Sequence, residues 1–531
     1  MTQPVPTNDP HEKTARPADP YGPRMQAAPA PNASPLPLPA LPLADSFGYY
    51  GMACLIFGLF YTFCFYKNPI GITWPLFTAA GFALLCTLFH HAGVSVKKDS
   101  CFLVGASFLL SLSMCLTASP ILHFYNRLGL FLLLAVFLIH QLYDDRTWNI
   151  GKYTASILSY TASVFMALPL PFRHLSRYTK NGRFQKSRRL LIALAGVCAS
   201  LPFALVVAAL LCGADAVFLA FLSRLFKTVL NLRTLFGILF EAGLSAVFLY
   251  CVLCTCHLRT LSVEVPDKRR GNPLAAVSFL ALPALVYLLF CGIQIFYLFL
   301  GKGTLPAHMT YSEYARQGFF QLVFVVFLNL FLVLGCLKYF RSSRLLRLAL
   351  ALVSGCTYVM IASAAYRILL YIGRYRLTFL RLLVLWFLAM TAVLMAGILF
   401  LIFKERFPLC RYCIVVLSVF YTGFSLARPD AVIARYNLTA PGSLDSDDLD
   451  YLLGLSCDAA PALERYLPDS DYLERHFGKT RGELLYAFCP YEGEDTDRAL
   501  PLSSAALTIR GYNFSVAKAF KIAKAAKASL P

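Results

Sequence analysis

Phe379–Phe403 reads FLRLLVLWFLAMTAVLMAGILFLIF, a run in which Arg381 is the lone charged side chain. About 20 predominantly apolar residues carry a helix across a bilayer, so this run crosses with a turn to spare. The same composition recurs on both sides of it. Upstream, spans are expected near Phe47–Tyr66, Ile72–His90, Cys101–Ala118, Leu128–Tyr143, Leu190–Cys212, Leu235–Cys256, Leu274–Leu300, Phe319–Leu337 and Leu348–Leu370; downstream, near Tyr412–Ala427. The fold class is therefore all-α: a polytopic transmembrane helix bundle of about 11 spans over residues 46–427. A disordered Pro-rich tail over 1–45 and a small helical, extracytoplasmic tail over 428–531 frame it.

The bulk numbers agree. Apolar residues make up 58% and charged residues 14% of the 531, with a mean hydropathy of +0.62, which is membrane composition. A net charge of +20 would suit nucleic acid if it lay on one compact face. Instead, residues 1–427 hold 36 Lys/Arg against 13 Asp/Glu, gathered in short loops between apolar runs. That is the positive-inside pattern, and no groove-reading motif accompanies it, so no nucleic-acid partner is expected.

Charge also sets the topology. With the N-terminus cytoplasmic and the C-terminus extracytoplasmic in a cell membrane, 25 Lys/Arg collect on the cytoplasmic side. This leaves Tyr153–Phe172, uncharged but rich in Ser, Thr and Tyr and ending in LPLPF, lying in the interface. Counted as a span it would be a twelfth and would scatter the basic loops. Met1–Ala44 holds 12 of the 30 prolines, carries no signal-peptide pattern and is expected to be disordered, partly polyproline II. Ala216–Arg233, apolar but punctuated by Arg224, Lys227 and Arg233, reads as an amphipathic helix on the outer surface.

Ionisable residues inside spans are the informative ones, since each costs roughly 2.5–3.5 kcal/mol near a helix centre unless paired. Glu241 stands about 10 Å into its span, and Arg367 lies at a similar depth from the same outer face. An ion pair between them, structural or ligand-binding, is the expectation. TYSEYARQGFFQ, Thr310–Gln321, adds an aromatic, charged collar with Glu313, the lone carboxylate between Asp267 and Glu405, and Arg316 on one helical face. The candidate binding residues of this outer vestibule are Glu241, Tyr311, Glu313, Tyr314, Arg316, Arg367, Tyr371, Arg374 and Arg381. Gln294 and Asn329 read as interhelical hydrogen-bonders, His140 as interfacial, and Asn126 and Arg127 as the outer start of the fourth span.

The 17 cysteines mostly behave as small apolar residues. Cys251, Cys254, Cys256 and His257 at one inner helix end, and Cys410 with Cys413 at another, lack the paired spacing of a zinc ribbon. Cys457 and Cys489 in the tail are spaced for a disulfide or for none. There is no HExxH, GxxxxGK[ST], GxSxG or GxGxxG, so neither metal nor cofactor is expected. Downstream of residue 427 the composition turns acidic. Asp445, Asp447, Asp448 and Asp450 sit where carboxylates favour a helix start, without the glycine and distal Glu of a calcium loop. Lys518, Lys521, Lys524 and Lys527 form a basic stripe suited to anionic headgroups or wall polymers.

The segments MTYSEYARQGFFQL, YRILLYIGRYRLTFLRL, and ARYN followed by DLDYLLGLSCDAAPAL resemble a bacterial multi-pass membrane family, domain of unknown function 4173, related to 4153. The resemblance runs from about Asn68 to the C-terminus. It implies weight on Tyr314, Ala315, Arg316, Gly318, Phe319, Phe320, Arg367, Tyr371, Thr378, Arg381, Asn437 and Asp450. It also implies a glycine before Leu377 and Thr378, where this chain has Arg376. It carries no established activity.

Two function classes remain. One is a transporter, scaffold or regulator that binds an anionic amphiphile or envelope component in the outer vestibule, with membrane lipids, an envelope polymer or a lipid-linked ligand as partners. The other is an intramembrane transferase acting on a lipid-linked substrate with Glu241 or Glu313 as base. The lack of a metal-holding acidic cluster or an outer Ser/Cys–His constellation favours the first.

Overall fold

In hydrocarbon every backbone N–H and C=O must be paired within the chain, so apolar runs of this length have one outcome, the helix. The computed structural model describes residues 43, 46–146, 148–180, 200, 207, 211, 232–258, 269–296, 319–405, 407–488 and 508–528. The Pro-rich tail bar Leu43, most of Leu190–Cys212, nearly all of Ala216–Arg233, the collar residues Tyr311, Glu313, Tyr314, Arg316 and Gly318, and Cys489 lie outside the described residues.

Within them the order is α1 (Phe47–Phe65), α2 (Thr73–His91), α3 (Ser100–Leu116), α4 (Pro120–Leu142), α5 (Ile150–Met166), α6 (Pro169–Lys180), α7 (Leu232–Leu258), α8 (Pro273–Gln294), α9 (Phe319–Tyr339), α10 (Arg344–Tyr375), α11 (Phe379–Phe403) and α12 (Leu409–Leu426). The C-terminal helices follow: α13 (Pro429–Thr439), α14 (Ser446–Leu453), α15 (Ala460–Tyr466), α16 (Ser470–Phe477), α17 (Arg481–Phe488) and α18 (Phe514–Ala528). Among the described residues nine helices, α1, α2, α4 and α7 to α12, are long and apolar enough to cross a membrane. The apolar α3 is shorter, at 17 residues. Pro120, Pro273 and Pro429 occupy first turns, where a missing N–H costs nothing. Pro120 starts α4 earlier than hydropathy suggests, so Asn126 and Arg127 lie inside the helix and do not open it.

Packing divides the spans. A first core is built from α1 to α7, and a second from α8 to α11. Helix α12 packs on α11 on one side and α3 on the other, and so joins the two. In the first core α1 and α7 approach backbone to backbone: a Cβ on Gly58 would stand 2.2 Å from the carbonyl oxygen of Ala242, so only glycine fits. The C-terminal helices have a core of their own, centred on Leu452, Leu463, Leu473 and Ala519.

These helices cap one end of the bundle. Residues 508–513 are laced to two span corners: Asn68 Nδ2 donates to the carbonyl of Arg510 (3.2 Å), the Ile72 N–H to Tyr512 (2.9 Å), and Asn513 Nδ2 to Thr117 (2.9 Å). The opposite end carries the basic loops. Helices α5 and α6, bent by 45° at their junction, touch neighbours at that end. Tyr153 reaches Asp145, Tyr160 reaches Cys256 (2.9 Å), and His174 reaches Tyr250 (3.0 Å).

Candidate functional site

Of the sequence-derived vestibule residues, four come together at the corner between α10 and α11. Arg367 and Tyr371 lie one helical turn apart, with Arg374 nearly a turn further on, exposed. Tyr371 and Tyr375 hold their rings 5.0 Å apart, and the Arg381 guanidinium lies 4.2 Å from the Tyr371 ring centroid, a cation–π contact. Arg381 also donates to the carbonyls of Tyr375 and Arg376, filling acceptors that the end of α10 leaves open. The other face of this corner is apolar, with Ile368, Ile372 and Leu377 packed on Ile433 of α13.

The turn itself explains the glycine implied by the resemblance. Arg376 has φ 65° and ψ 171°, a backbone region occupied almost solely by glycine. Its guanidinium offsets the strain by donating to the carbonyls of Asn437 (2.9 Å), Ala440 (3.1 Å), Gly442 (3.2 Å) and Ser443 (3.1 Å), with Asp448 at 3.6 Å. Its four Nη N–H groups are thereby bonded to backbone carbonyls and Nε faces the Asp448 carboxylate, so Arg376 acts as a clasp. A cavity of about 320 Å³ opens beside it, lined by Arg376, Asn437, Pro468 and Tyr472 among others.

Glu241 stands elsewhere. Its helix α7 packs on α1, α5 and α6, whereas Arg367 belongs to the helix packed on α8, α9 and α11. Glu241 and Arg367 form no ion pair among the described residues, which corrects the expected pairing. Equal depth in two spans did not place them in one core. Tyr311, Glu313, Tyr314 and Arg316 fall outside the described residues.

Three polar clusters escaped the sequence reading. At the basic end the buried Asp145 accepts from Tyr153 Oη (2.8 Å), His140 Nδ1 (3.1 Å) and Arg411 Nη2, and Arg411 also reaches Asp99 (3.4 Å). Burial alone would push the Asp145 carboxyl up, but these bonds, from His140 and Arg411 foremost, hold it well below the ordinary aspartate range. Within the spans Asn126 Nδ2 donates to Ser113 (2.8 Å), and its Oδ1 accepts from Tyr421 (2.8 Å) and Ser425 (3.0 Å), tying α12 to α3 and α4. At the capped end the buried Asp458 accepts from the Ala118 N–H (2.8 Å), Thr117 Oγ1 and Ser515 Oγ. His140 and Asp145 are close in sequence, a signal that was available; Asp458 and Thr117 are 341 residues apart, and no periodicity connects them. Among the described residues no group of three or more His, Cys, Asp or Glu could hold a metal.

Helices of this length, stacked in two joined cores, define an integral membrane protein of the multi-pass helical class. The model of the family called domain of unknown function (DUF4153) matches residues 104–466, and the chain belongs to that family. The match falls on the relative of the family that the motifs resemble, and it takes in the α10–α11 corner, Asp145, Asn126 and Asp458. No curated protein and no solved structure matches the chain.

Proposed function

We propose that this integral membrane protein is a binding protein with a transport, scaffold or regulatory role, taking an anionic amphiphile on the ledge of Arg367, Tyr371, Arg374 and Arg381. The observation that carries this reading is the Arg381 guanidinium seated 4.2 Å from the Tyr371 ring where α10 meets α11, beside the exposed Arg374. Aromatic rings accept an acyl chain with their hydroxyls still in water, and guanidinium forks match phosphate or carboxylate. By the topology read from the sequence, Glu313, Arg316, Tyr311, Tyr314 and Glu241 belong to the same outer side of the membrane. The basic end faces the cytoplasm, following the positive-inside pattern, and the capped end faces out.

The test is lipid retention in nanodiscs of phosphatidylglycerol and phosphatidylcholine, read by native mass spectrometry. Arg367→Gln with Arg374→Gln should lower retained phosphatidylglycerol about tenfold or more, since charge-assisted bonds contribute about 1.5–3 kcal/mol each. Unchanged retention at equal fold stability sinks the proposal.

A further inference from the structure

The loops at the basic end of the second core are joined. The Gly271 N–H donates to the carbonyl of Tyr339 (2.9 Å) and the Arg341 N–H to that of Gly271 (3.1 Å). This backbone bridge gathers Arg269 and Arg270, which precede α8, beside Arg341, Arg344 and Arg347 at the start of α10. Among the described residues one carboxylate serves them: Glu405, at the end of α11, binds Arg269 (3.0 Å) and lies 4.0 Å from Arg347. Ser342 takes a hydrogen bond from Arg347 Nε (3.0 Å). Arg270, Arg341 and Arg344 are exposed and meet no carboxylate among the described residues. On the adjoining turns Leu274, Leu345 and Leu348 are 64%, 57% and 69% exposed.

Three exposed guanidinium groups that meet no carboxylate among the described residues, beside exposed leucines on the adjoining turns, match a molecule with an anionic phosphate at one end and apolar chains at the other. A positive-inside loop needs only charge near the membrane surface. Here two loops are hydrogen-bonded together so that the backbones carrying these arginines lie side by side, and the one acid among the described residues binds Arg269 and neighbours Arg347. We propose that the Arg270–Arg341–Arg344 patch is a binding site for an anionic phospholipid of the leaflet at the basic end. The phosphate meets the three guanidinium groups and an acyl chain lies along Leu274, Leu345 and Leu348. The site lies at the opposite end of the bundle from the Arg367–Arg381 ledge and does not depend on it.

Photoactivatable phosphatidylglycerol, incorporated with the full chain in vesicles of phosphatidylcholine, tests this by peptide mapping of the cross-links. Labelling is expected on peptides covering 269–274 and 341–348, with competition by unlabelled phosphatidylglycerol and none by soluble glycerol phosphate. Each basic residue near an anionic surface is worth about fivefold in affinity, so Arg270→Gln, Arg341→Gln and Arg344→Gln together should reduce labelling about a hundredfold. The triple lysine variant keeps the charge and should retain most labelling; it serves as the folded control, with single Arg341→Gln as fallback. Equal labelling by a phosphatidylcholine probe, or labelling unchanged in the glutamine variants, overturns the proposal. Competition by soluble glycerol phosphate also overturns it, assigning the patch to a free phosphate ligand. Labelling only of 367–381 would leave the outer ledge standing and this site refuted.

Discussion

Asn437 hydrogen-bonds both backbone groups of Leu377: its Oδ1 accepts the Leu377 N–H at 2.7 Å and its Nδ2 donates to the Leu377 carbonyl at 2.9 Å. One side-chain amide thus does for the α10–α11 turn what a neighbouring strand does for a strand. Leu377 is buried, so without Asn437 both groups would lie away from water with no partner. The contact also holds α13, and with it the C-terminal helices, on the second core. It links the fold at the capped end to the shape of the proposed ledge.

Asn437→Ala should therefore cost more than an ordinary surface change. Each orphaned buried group carries a penalty of about 1–3 kcal/mol. The expected result is a lower melting temperature in detergent and faster hydrogen exchange at the Leu377 amide. Asn437→Asp keeps the acceptor and loses the donor, so it should fall between the two. A melting curve for Asn437→Ala that overlays wild type would remove this contact from the account of how the cap is held.

Arg376 gives an ordering. Its backbone occupies a glycine region that costs a side chain of order 1–3 kcal/mol, and its guanidinium donates to four carbonyls. Arg376→Ala keeps the strain and loses the bonds, so it should be the least stable. Arg376→Gly relieves the strain and loses the bonds, and should melt between alanine and wild type. Glycine melting at or below alanine would show that the turn is unstrained.

The spans were legible because hydropathy needs only local composition, and among the described residues nine helices stand where long apolar runs lie. Arg367, Tyr371, Arg374 and Arg381 were legible as a group because one helix and the next corner carry them. That Glu241 and Arg367 stand in different cores was not legible, since which span packs on which is decided by contacts such as Gly58 against Ala242. Depth in the membrane carries no such information. The Asp458 contact with Thr117 joins residues 341 apart, and it exists only because residues 508–513 return to the span corners. Asp145 was passed over for another reason: a carboxylate in a short loop looks solvated until its three partners, Tyr153, His140 and Arg411, are placed around it.

Asp145 predicts a pH dependence. Burial opposes its charge, yet bonds from His140, Arg411 and Tyr153 hold its carboxyl below the ordinary range. A carboxyl depressed in the folded state adds stability that is complete above the unfolded value of about 4 and is lost as pH falls through the folded one. Wild-type melting temperature should thus drop on acidification below about pH 4. Asp145→Asn should lose stability at neutral pH, where Arg411 is left beside a neutral group, and should show a flatter acid limb. Parallel acid limbs for the two proteins would mean that other carboxyls govern the transition.

The capped end should respond in the opposite sense. Asp430 and Asp458 are both buried where the C-terminal helices meet Thr117, Ala118 and Ser119. Burial raises both carboxyls, and the Asp458 charge raises Asp430 further, against hydrogen bonds from Ser456, Ser515 and Thr117 and the nearby Arg428. His123 faces the same corner, with its Nε2 on the Thr117 carbonyl at 2.9 Å. A group raised in the docked state contributes stability present below its free value and lost as pH climbs through the docked one. Docking of α13 to α18 should therefore tighten as pH falls from neutral, read as slower hydrogen exchange over 449–463 after correction for intrinsic exchange. Asp458→Asn carries no charge, keeps an acceptor for the Ala118 N–H and the Ser515 hydroxyl, and presents an amide N–H that the Thr117 hydroxyl can accept. It should dock at neutral pH as wild type docks in acid, with the pH response reduced to what Asp430 supplies. Loss of protection in Asp458→Asn at every pH would instead mean that the ionised carboxylate is the docking form, and the predicted direction would be reversed.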